Sequence, residues 1–212
     1  MAEIFEKPKV FTKAWFSYVW DYYKWYIICG IAVIALSIFT YYDVKNTVKY
    51  DTNINFVATG VITSEKADEI CAKCAQNSVD LNENGSVDIS LTQLNFTEDN
   101  QKNSEMNYAL TNKLMTLFAS RDELIFITDS YMLERLTNMN KEGDVFLPVK
   151  EWAPDGEVIE GELAVSLGDS SVLKEVGIDS SDMYILMARA DYEEGITPEE
   201  VNARKIAEFL IK

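Results

Sequence analysis

The sequence predicts an α/β protein built from an N-terminal aromatic amphipathic segment, one transmembrane helix, and an α/β sandwich domain with a mixed sheet. Residues 26–42 form an uncharged, largely apolar run with charged residues on both sides. Such a run reaches the lower length limit for a membrane-spanning helix, about 17 residues. After it, short apolar runs of strand type alternate with segments of helical periodicity, which is typical of α/β domains.

The predicted boundaries divide the 212 residues into four parts. They are a cytoplasmic or interfacial aromatic helix (1–24), the transmembrane helix (25–43), a linker (44–49) and an extracytoplasmic α/β domain (50–212). The apolar run has no small-residue cleavage site after it, and Ile28 stands before Cys29 where a lipoprotein signal needs a small residue. We therefore predict an uncleaved signal-anchor.

The charge distribution narrows the possible functions. The net charge is -16, and residues 1–45 hold five lysines against four acidic residues, so the remaining residues carry -17. Such a surface repels nucleic acid. The absence of histidine excludes Ser-His-Asp and Cys-His catalysis and histidine-type zinc sites. The sequence thus predicts no nucleic-acid partner, no cofactor and no enzymatic activity.

The aromatic segment has one regular face. Phe11, Trp15, Tyr18 and Tyr22 follow helical spacing, with lysines between them. Aromatic rings and lysines suit the membrane interface. Three interpretations stay open: an extension of the spanning helix into the headgroups, a separate helix lying on the membrane, and a docking site for an integral membrane protein.

The span itself carries the small residues Gly30, Ala32 and Ala35, which allow close approach of a partner helix. Four lysines precede the span within the N-terminal flank, and Lys45 and Lys49 follow it. The positive-inside rule then predicts a cytoplasmic N-terminus and an extracytoplasmic domain, held in the cell membrane by a single pass through the lipid bilayer.

Local signals predict the elements of the outer domain in order. Alternation predicts a strand within 50–60, and Ser64 is the expected cap of a helix ending near Asn77. Asn84-Gly85 predicts a hairpin turn. The following predictions are a helix over 104–120, a buried strand over 124–128, a helix over 131–139, one or two strands within 157–167, a helix over 172–176 capped by Ser170 or Ser171, a strand over 183–188, and a last helix started by Thr197 and Pro198.

The turn region also matches a calcium-loop pattern. Asp80, Asn82, Asn84 and Gly85 stand at positions one, three, five and six of D-x-N-x-N-G. Position twelve, where a bidentate glutamate is expected, is Leu91. Both a plain hairpin and a calcium site therefore stay open.

Two further groups of residues are candidates for chemistry. Asp129, Ser130 and Tyr131 follow a predicted strand, where α/β folds bind ligands, and Asp169 stands in a similar Gly-Asp-Ser-Ser stretch. The alternative role of these residues is helix capping. Cys71 and Cys74 form C-A-K-C within a predicted helix, with redox catalysis, a disulfide or metal site, and simple packing as the alternatives.

Several stretches from residue 104 onward resemble a known group of proteins. They are RDELIFITDSYMLERL, the F-x-P turn, LGDSSVLKEVGI and DMYILMA, preceded in the chain by the aromatic YYKWYII entry into the span and by DLNENGSVDIS. The order of these stretches resembles the single-pass, membrane-anchored extracytoplasmic proteins of clostridial Firmicutes. The resemblance implies a Gram-positive source and an outer portion like a single lobe of a periplasmic-binding protein.

We therefore expect a membrane-anchored extracytoplasmic domain that binds another protein, as an accessory subunit of a membrane complex such as a transporter. The anchor, the aromatic segment and the lack of catalytic patterns motivate this expectation. A membrane-tethered solute-binding domain is the first alternative, and an extracytoplasmic thiol-disulfide protein is the second.

Overall fold

The computed structural model describes residues 10–46, 49–98, 104–143, 145–153, 158–159, 162–190 and 196–212. The chain divides into two units, residues 1–48 and 49–212. The helices are α1 (Lys13–Asn46), α2 (Ser64–Ala75), α3 (Ser104–Ser120), α4 (Ser130–Gly143), α5 (Val149–Trp152), α6 (Ser171–Glu175) and α7 (Pro198–Ile211). The strands are β1 (Thr52–Ala58), β2 (Ile89–Asn95), β3 (Ile125–Asp129), β4 (Val158–Ile159), β5 (Ala164–Ser166) and β6 (Met183–Met187).

The main element described in the first unit is α1, a single unbroken helix of 34 residues. At about 1.5 Å of rise per residue, its length is roughly 51 Å. The aromatic segment and the apolar run thus belong to one helix, and the predicted boundary between residues 24 and 25 lies inside it. Within the described part of the chain, α1 is the one helix that is long and apolar enough to cross a membrane.

The second unit is built on a six-stranded sheet in the order β2-β1-β3-β6-β5-β4. The strands β1, β2 and β3 are mutually parallel, whereas β6 is antiparallel to β3 and β5 is antiparallel to β6. Consequently β5 points the same way as β3. The predicted mixed sheet is confirmed.

Helices pack on both faces of this sheet, because consecutive strand residues point to opposite faces. Phe56 and Ile127 belong to the core cluster shared with α2, α6 and α7. Their neighbours Val57 and Phe126 belong to the cluster shared with α3 and α4. The continuous apolar run at 124–128 is therefore a strand buried on both faces, as its composition predicts.

Residues 79–88 do not form the predicted hairpin. The strand β2 begins at Ile89 and pairs in parallel with β1, and no strand lies between α2 and the Asn84-Gly85 pair. The positive φ angles fall at Glu83 (56°) and Gly85 (90°), not at Asn84. The hairpin prediction is wrong because Asp80, Asn82 and Asn84 accept hydrogen bonds from the loop's own backbone, where a hairpin would pair two strands.

The capping signals predicted for α6 and α7 are confirmed. Ser170 accepts a hydrogen bond from the Leu173 nitrogen at the start of α6, and Thr197 accepts one from the Glu200 nitrogen at the start of α7. For α2 the N-cap is Thr63, one residue before the predicted Ser64, and it makes no side-chain capping bond. Of the region 157–167, where one or two strands are predicted, residues 157, 160 and 161 lie outside the described residues.

Candidate functional site

The carboxyl ends of β1, β3 and β5 meet at one edge of the sheet, where the predicted ligand residues lie. Asp129 ends β3, and its Oδ2 accepts hydrogen bonds from the Thr59 nitrogen and hydroxyl, both at 2.6 Å. Its Oδ1 accepts one from the Met132 nitrogen at 2.9 Å and so caps α4. Asp129 therefore joins the end of β1 to the start of α4.

The other predicted ligand residues also have protein partners. Ser130 donates its hydroxyl to Asp182 Oδ2 at 2.9 Å, and Tyr131 packs partly buried against the core on the α4 side. The exposed carboxylate of Asp169 lies 3.3 Å from the Lys174 ammonium group. Thr59 and Asp182 were not identified from the sequence, because their roles arise from contacts 70 and 52 residues away along the chain.

A cavity of about 240 Å³ opens near this edge, between the loop after β1 and the loop after α6. Its apolar lining includes Phe56, Ile62, Ile178 and Met183, and its polar lining includes Thr63, Lys66 and Asp179. Lys66 donates its ammonium group to the Gly177 carbonyl at 2.5 Å. None of Asp129, Ser130, Tyr131 and Asp169 lines this cavity, so a ligand role for these four residues stays a prediction.

The wall of the cavity formed by the β1–α2 loop is held by one side chain. The amide of Gln93, on β2, accepts from the Ile62 nitrogen at 3.1 Å and donates to the Ile62 carbonyl at 2.8 Å. Across the cavity, the hydroxyl and the backbone nitrogen of Ser181 lower the pKa of Asp179, which keeps its carboxyl ionised. The cavity thus combines an apolar floor with one cationic and one anionic side chain.

The predicted metal loop is closely folded. Asp80 accepts from the Asn84 and Gly85 nitrogens at 3.3 and 2.8 Å, and Asn82 Oδ1 accepts from the Asn84 nitrogen at 3.0 Å. Asn84 Oδ1 accepts from the nitrogen and the hydroxyl of Ser86, both at 2.8 Å. These oxygens gather at alternate positions along one short loop.

Asp51, which lies outside the loop and just before β1, fixes the loop to the rest of the domain. Its buried carboxylate accepts hydrogen bonds from the nitrogens of Leu81, Asn82 and Asp88 at 2.8, 3.1 and 2.8 Å. On the other side, Asn202 of α7 accepts from the Val79 nitrogen at 3.0 Å. The loop conformation is therefore determined by residues far away in sequence.

The donor set of the loop suits a hard cation, since it consists of carboxylate, amide and hydroxyl oxygens. Asp88 stands at position nine of the pattern and was missed in the sequence. Its Oδ2 accepts from the Ser86 hydroxyl at 2.7 Å. Asp80 and Asp88 both accept hydrogen bonds from Asn84, and position twelve, Leu91, lies within β2. Calcium binding by Asp80, Asn82 and Asn84 stays a prediction.

Cys71 and Cys74 lie in the second half of α2, away from its N-terminus. Both are free thiols, and Cys74 is fully buried. Burial is the main cause that raises the pKa of Cys71 to about 11 and that of Cys74 to about 12. Both thiols are therefore protonated at neutral pH, which is the opposite of the lowered pKa that nucleophilic thiols need.

Of the predicted contact residues before the apolar run, Trp15, Tyr18 and Tyr22 lie on α1. Phe11 does not, because the helix begins at Lys13 and Phe11 precedes it with a φ of 64°, so its predicted place on a helical face is wrong. The ring centroids of Phe11 and Trp15 are 5.5 Å apart, and those of Tyr18 and Tyr22 are 4.8 Å apart. Within the predicted span, a Cβ built on Gly30 meets no atom within 4 Å. The small residues Ala32 and Ala35 are exposed on the same helix.

No protein-family model matches this chain, and no curated protein or solved structure shows significant similarity to it.

Proposed function

We propose that this chain is a membrane-anchored accessory subunit whose extracytoplasmic α/β domain binds another protein. The anchor is α1, in whose most apolar stretch no residue is buried within the described chain. Its length of roughly 51 Å exceeds both the hydrocarbon core of a bilayer, about 30 Å, and the full bilayer, about 40–45 Å.

One observation carries the partner proposal: the part of α1 that extends beyond the membrane span is rich in exposed aromatic side chains. A span of about 20 residues that ends before Asp43 begins near Tyr23. The ten or so residues before it keep large aromatic side chains exposed: Phe16 by 58%, Trp20 by 55% and Tyr22 by 66%. Aromatic residues are enriched in protein interfaces, so we assign this part of α1 to contact with an integral membrane protein.

The proposed orientation places the N-terminus in the cytoplasm and residues 49–212 outside the cell. The support is the bias of lysines toward the N-terminal flank of the span. The net charge of -17 after residue 45 contributes little to this rule, because acidic residues have little influence on insertion.

Site-specific crosslinking in living cells tests the partner. A photoreactive p-benzoylphenylalanine at Tyr22 is expected to capture a discrete membrane protein. The same group at Ser17, on the polar side of the helix, is the matched control and should capture it much less. Equal crosslinking at both positions, or capture of lipid alone, would contradict the proposed partner contact.

Cysteine labelling tests the orientation. Ser120→Cys, at the exposed end of α3, is expected to react with a membrane-impermeant maleimide on intact cells. Thr12→Cys should react only after permeabilisation, and the wild-type chain gives the background from its three cysteines. The reverse pattern would overturn the orientation.

A further inference from the structure

The sheet has two very different edges. At one edge, β4 consists of only two residues, which leaves little backbone to pair. At the other edge, β2 has seven residues and pairs along its whole length with β1. Within the described chain, no strand pairs with the outer side of β2.

The direction of the backbone groups on β2 follows from one hydrogen bond. Phe96 donates its N–H to the Ala58 carbonyl at 2.9 Å and so faces β1. Because alternate residues of a strand point their N–H and C=O groups to opposite sides, Leu94, Thr92 and Ser90 also face β1. The N–H and C=O groups of the remaining residues face the open edge: Ile89, Leu91, Gln93 and Asn95.

The next residue whose backbone faces outward, Thr97, has the hydrogen-bond partner that the outward backbone groups of β2 lack among the described residues. Thr97 donates its N–H to Asn107 Oδ1 at 3.2 Å and accepts from Asn107 Nδ2 at 2.8 Å. The buried side chain of Asn107, on α3, thus supplies the partner that a neighbouring strand would supply. No described residue does this for the four outward-facing residues of β2.

The usual protections of an edge strand are absent from β2. Its sequence, ISLTQLN, contains no charge, proline or glycine, and its register with β1 has no bulge. This neutrality is notable in a chain that carries -17 after residue 45. The uncharged stretch runs from Ile89 to Thr97, and Asp88 and Glu98 stand at its two ends.

We propose that the outer edge of β2 binds an extended segment of a partner protein by strand addition, and that this segment is uncharged over about seven residues with lysine or arginine at its ends. The backbone groups of Leu91 and Gln93 provide the pairing, and the acidic side chains of Asp88 and Glu98 select the cationic ends. A second copy of this chain fits less well, because it would bring another highly acidic domain to the same place.

This inference rests on the proposed function and names the surface and partner chemistry of its outer domain. The probe is a fluorescein-labelled peptide, Lys-Thr-Val-Thr-Val-Thr-Val-Thr-Lys, titrated into the full chain in detergent and followed by anisotropy. The same peptide with N-methyl groups on alternate residues keeps the side chains but loses backbone donors. It should bind at least about tenfold more weakly.

A pair of variants isolates the edge in the protein. Leu91→Pro removes one outward N–H and leaves the bonds to β1 in place, whereas Leu91→Ala shortens the same side chain and keeps the N–H. The proline variant should lose at least about tenfold in affinity beyond the alanine variant. Equal affinities of the two variants, or no saturable binding of the peptide, would overturn the proposal.

Residue-resolved hydrogen exchange gives an independent readout. The amides of Leu91 and Gln93 should exchange fast in the protein alone and slowly with the peptide, while those of Thr92 and Leu94 are slow throughout. A different result would identify a second copy of this chain as the occupant: slow exchange of the Leu91 and Gln93 amides without peptide, in a protein that ultracentrifugation shows to be a dimer. That result would refute the proposal of a partner segment with cationic ends. Two results together would refute this inference: no peptide binding by the wild type, and a membrane partner still captured through Tyr22 by the Leu91→Pro chain. They would leave the proposed role as a subunit of a membrane complex standing, because that contact is made by α1.

Discussion

The Asp129 carboxylate lies 2.6 Å from both the nitrogen and the hydroxyl oxygen of Thr59. One side chain thereby holds the end of β1 against the end of β3 while its second oxygen caps α4. The edge where the two strands end is therefore fixed by a residue that the sequence offered as a ligand contact. Its structural role makes Asp129 a sensitive position for stability.

We expect Asp129→Ala to lower the free energy of unfolding by about 3 kcal/mol. A helix cap contributes about 1 kcal/mol and hydrogen bonds to a charged group about 1.5–3 kcal/mol. Urea unfolding of the full chain in detergent measures the change. Asp169→Ala, at a fully exposed carboxylate, should show no measurable change; an equal loss in both variants would refute this role of Asp129.

Asp51→Ala should loosen the loop at 79–88 as well as destabilise the domain. The substitution removes the acceptor of three backbone N–H groups and leaves them in a partly buried place. We expect the free energy of unfolding to fall by about 3 kcal/mol. Each buried unsatisfied N–H group costs about 1–3 kcal/mol, and access of water to these partly buried groups reduces the sum. Limited proteolysis should then cut within 79–88 earlier than in Asp122→Ala, whose carboxylate is exposed.

Calcium titration tests the donor set of the same loop. With two carboxylates that bond to Asn84, those of Asp80 and Asp88, and no glutamate at position twelve, the loop should bind Ca²⁺ weakly. We expect a Kd of about 10⁻⁴–10⁻³ M. The amide resonance of Gly85 should shift on titration, and a chelator should reverse the shift. Asp80→Ala should abolish the shift, and an unchanged Gly85 resonance at about 10 mM Ca²⁺ would end the calcium prediction.

The buried thiols predict a loss of stability at alkaline pH. In the unfolded chain each thiol ionises near the ordinary pKa of 9.0, while in the folded domain the pKa of Cys71 is about 11 and that of Cys74 about 12. Below pH 9 both states hold the proton, so these thiols have no effect on the pH dependence. Above pH 9 the unfolded state releases protons first, and stability falls as the pH rises.

The midpoint of urea unfolding measured between pH 8 and pH 10.5 checks this expectation. The double variant Cys71→Ala, Cys74→Ala should show a shallower decline than the wild type. Alkylation at pH 8 followed by mass spectrometry should find Cys74 modified only after denaturation. Rapid modification of Cys74 in the folded protein would show that its thiol is accessible, against the burial described above.

The sequence predicted elements whose signals are local. Thr197 and Pro198 start α7 as expected because an N-cap and a first-turn proline act within four residues. The run Leu124–Thr128 could be read as a doubly covered strand because every residue in it is apolar or β-branched. Ser170 at α6 belongs to the same class.

The wrong hairpin prediction and the missed partner residues both result from contacts between residues that are far apart in the sequence. Residues 79–88 look like a hairpin by themselves, but Asp51 and Asn202 impose a different loop, and neither is near in sequence. The positions of Asp129 and Ser130 at a strand end were predicted, yet their partners Thr59 and Asp182 depend on the strand order. Strand order is set by crossovers, which no local pattern specifies.

Gln93 has one further consequence. Its backbone faces the open edge of β2, while its side-chain amide bonds both the N–H and the C=O of Ile62. Ile62 lines the cavity of about 240 Å³. A displacement of this backbone is therefore transmitted to the cavity wall through two hydrogen bonds. If occupancy of the edge changes the affinity of the cavity for a solute, thermodynamic reciprocity requires the solute to change the affinity of the edge by the same factor.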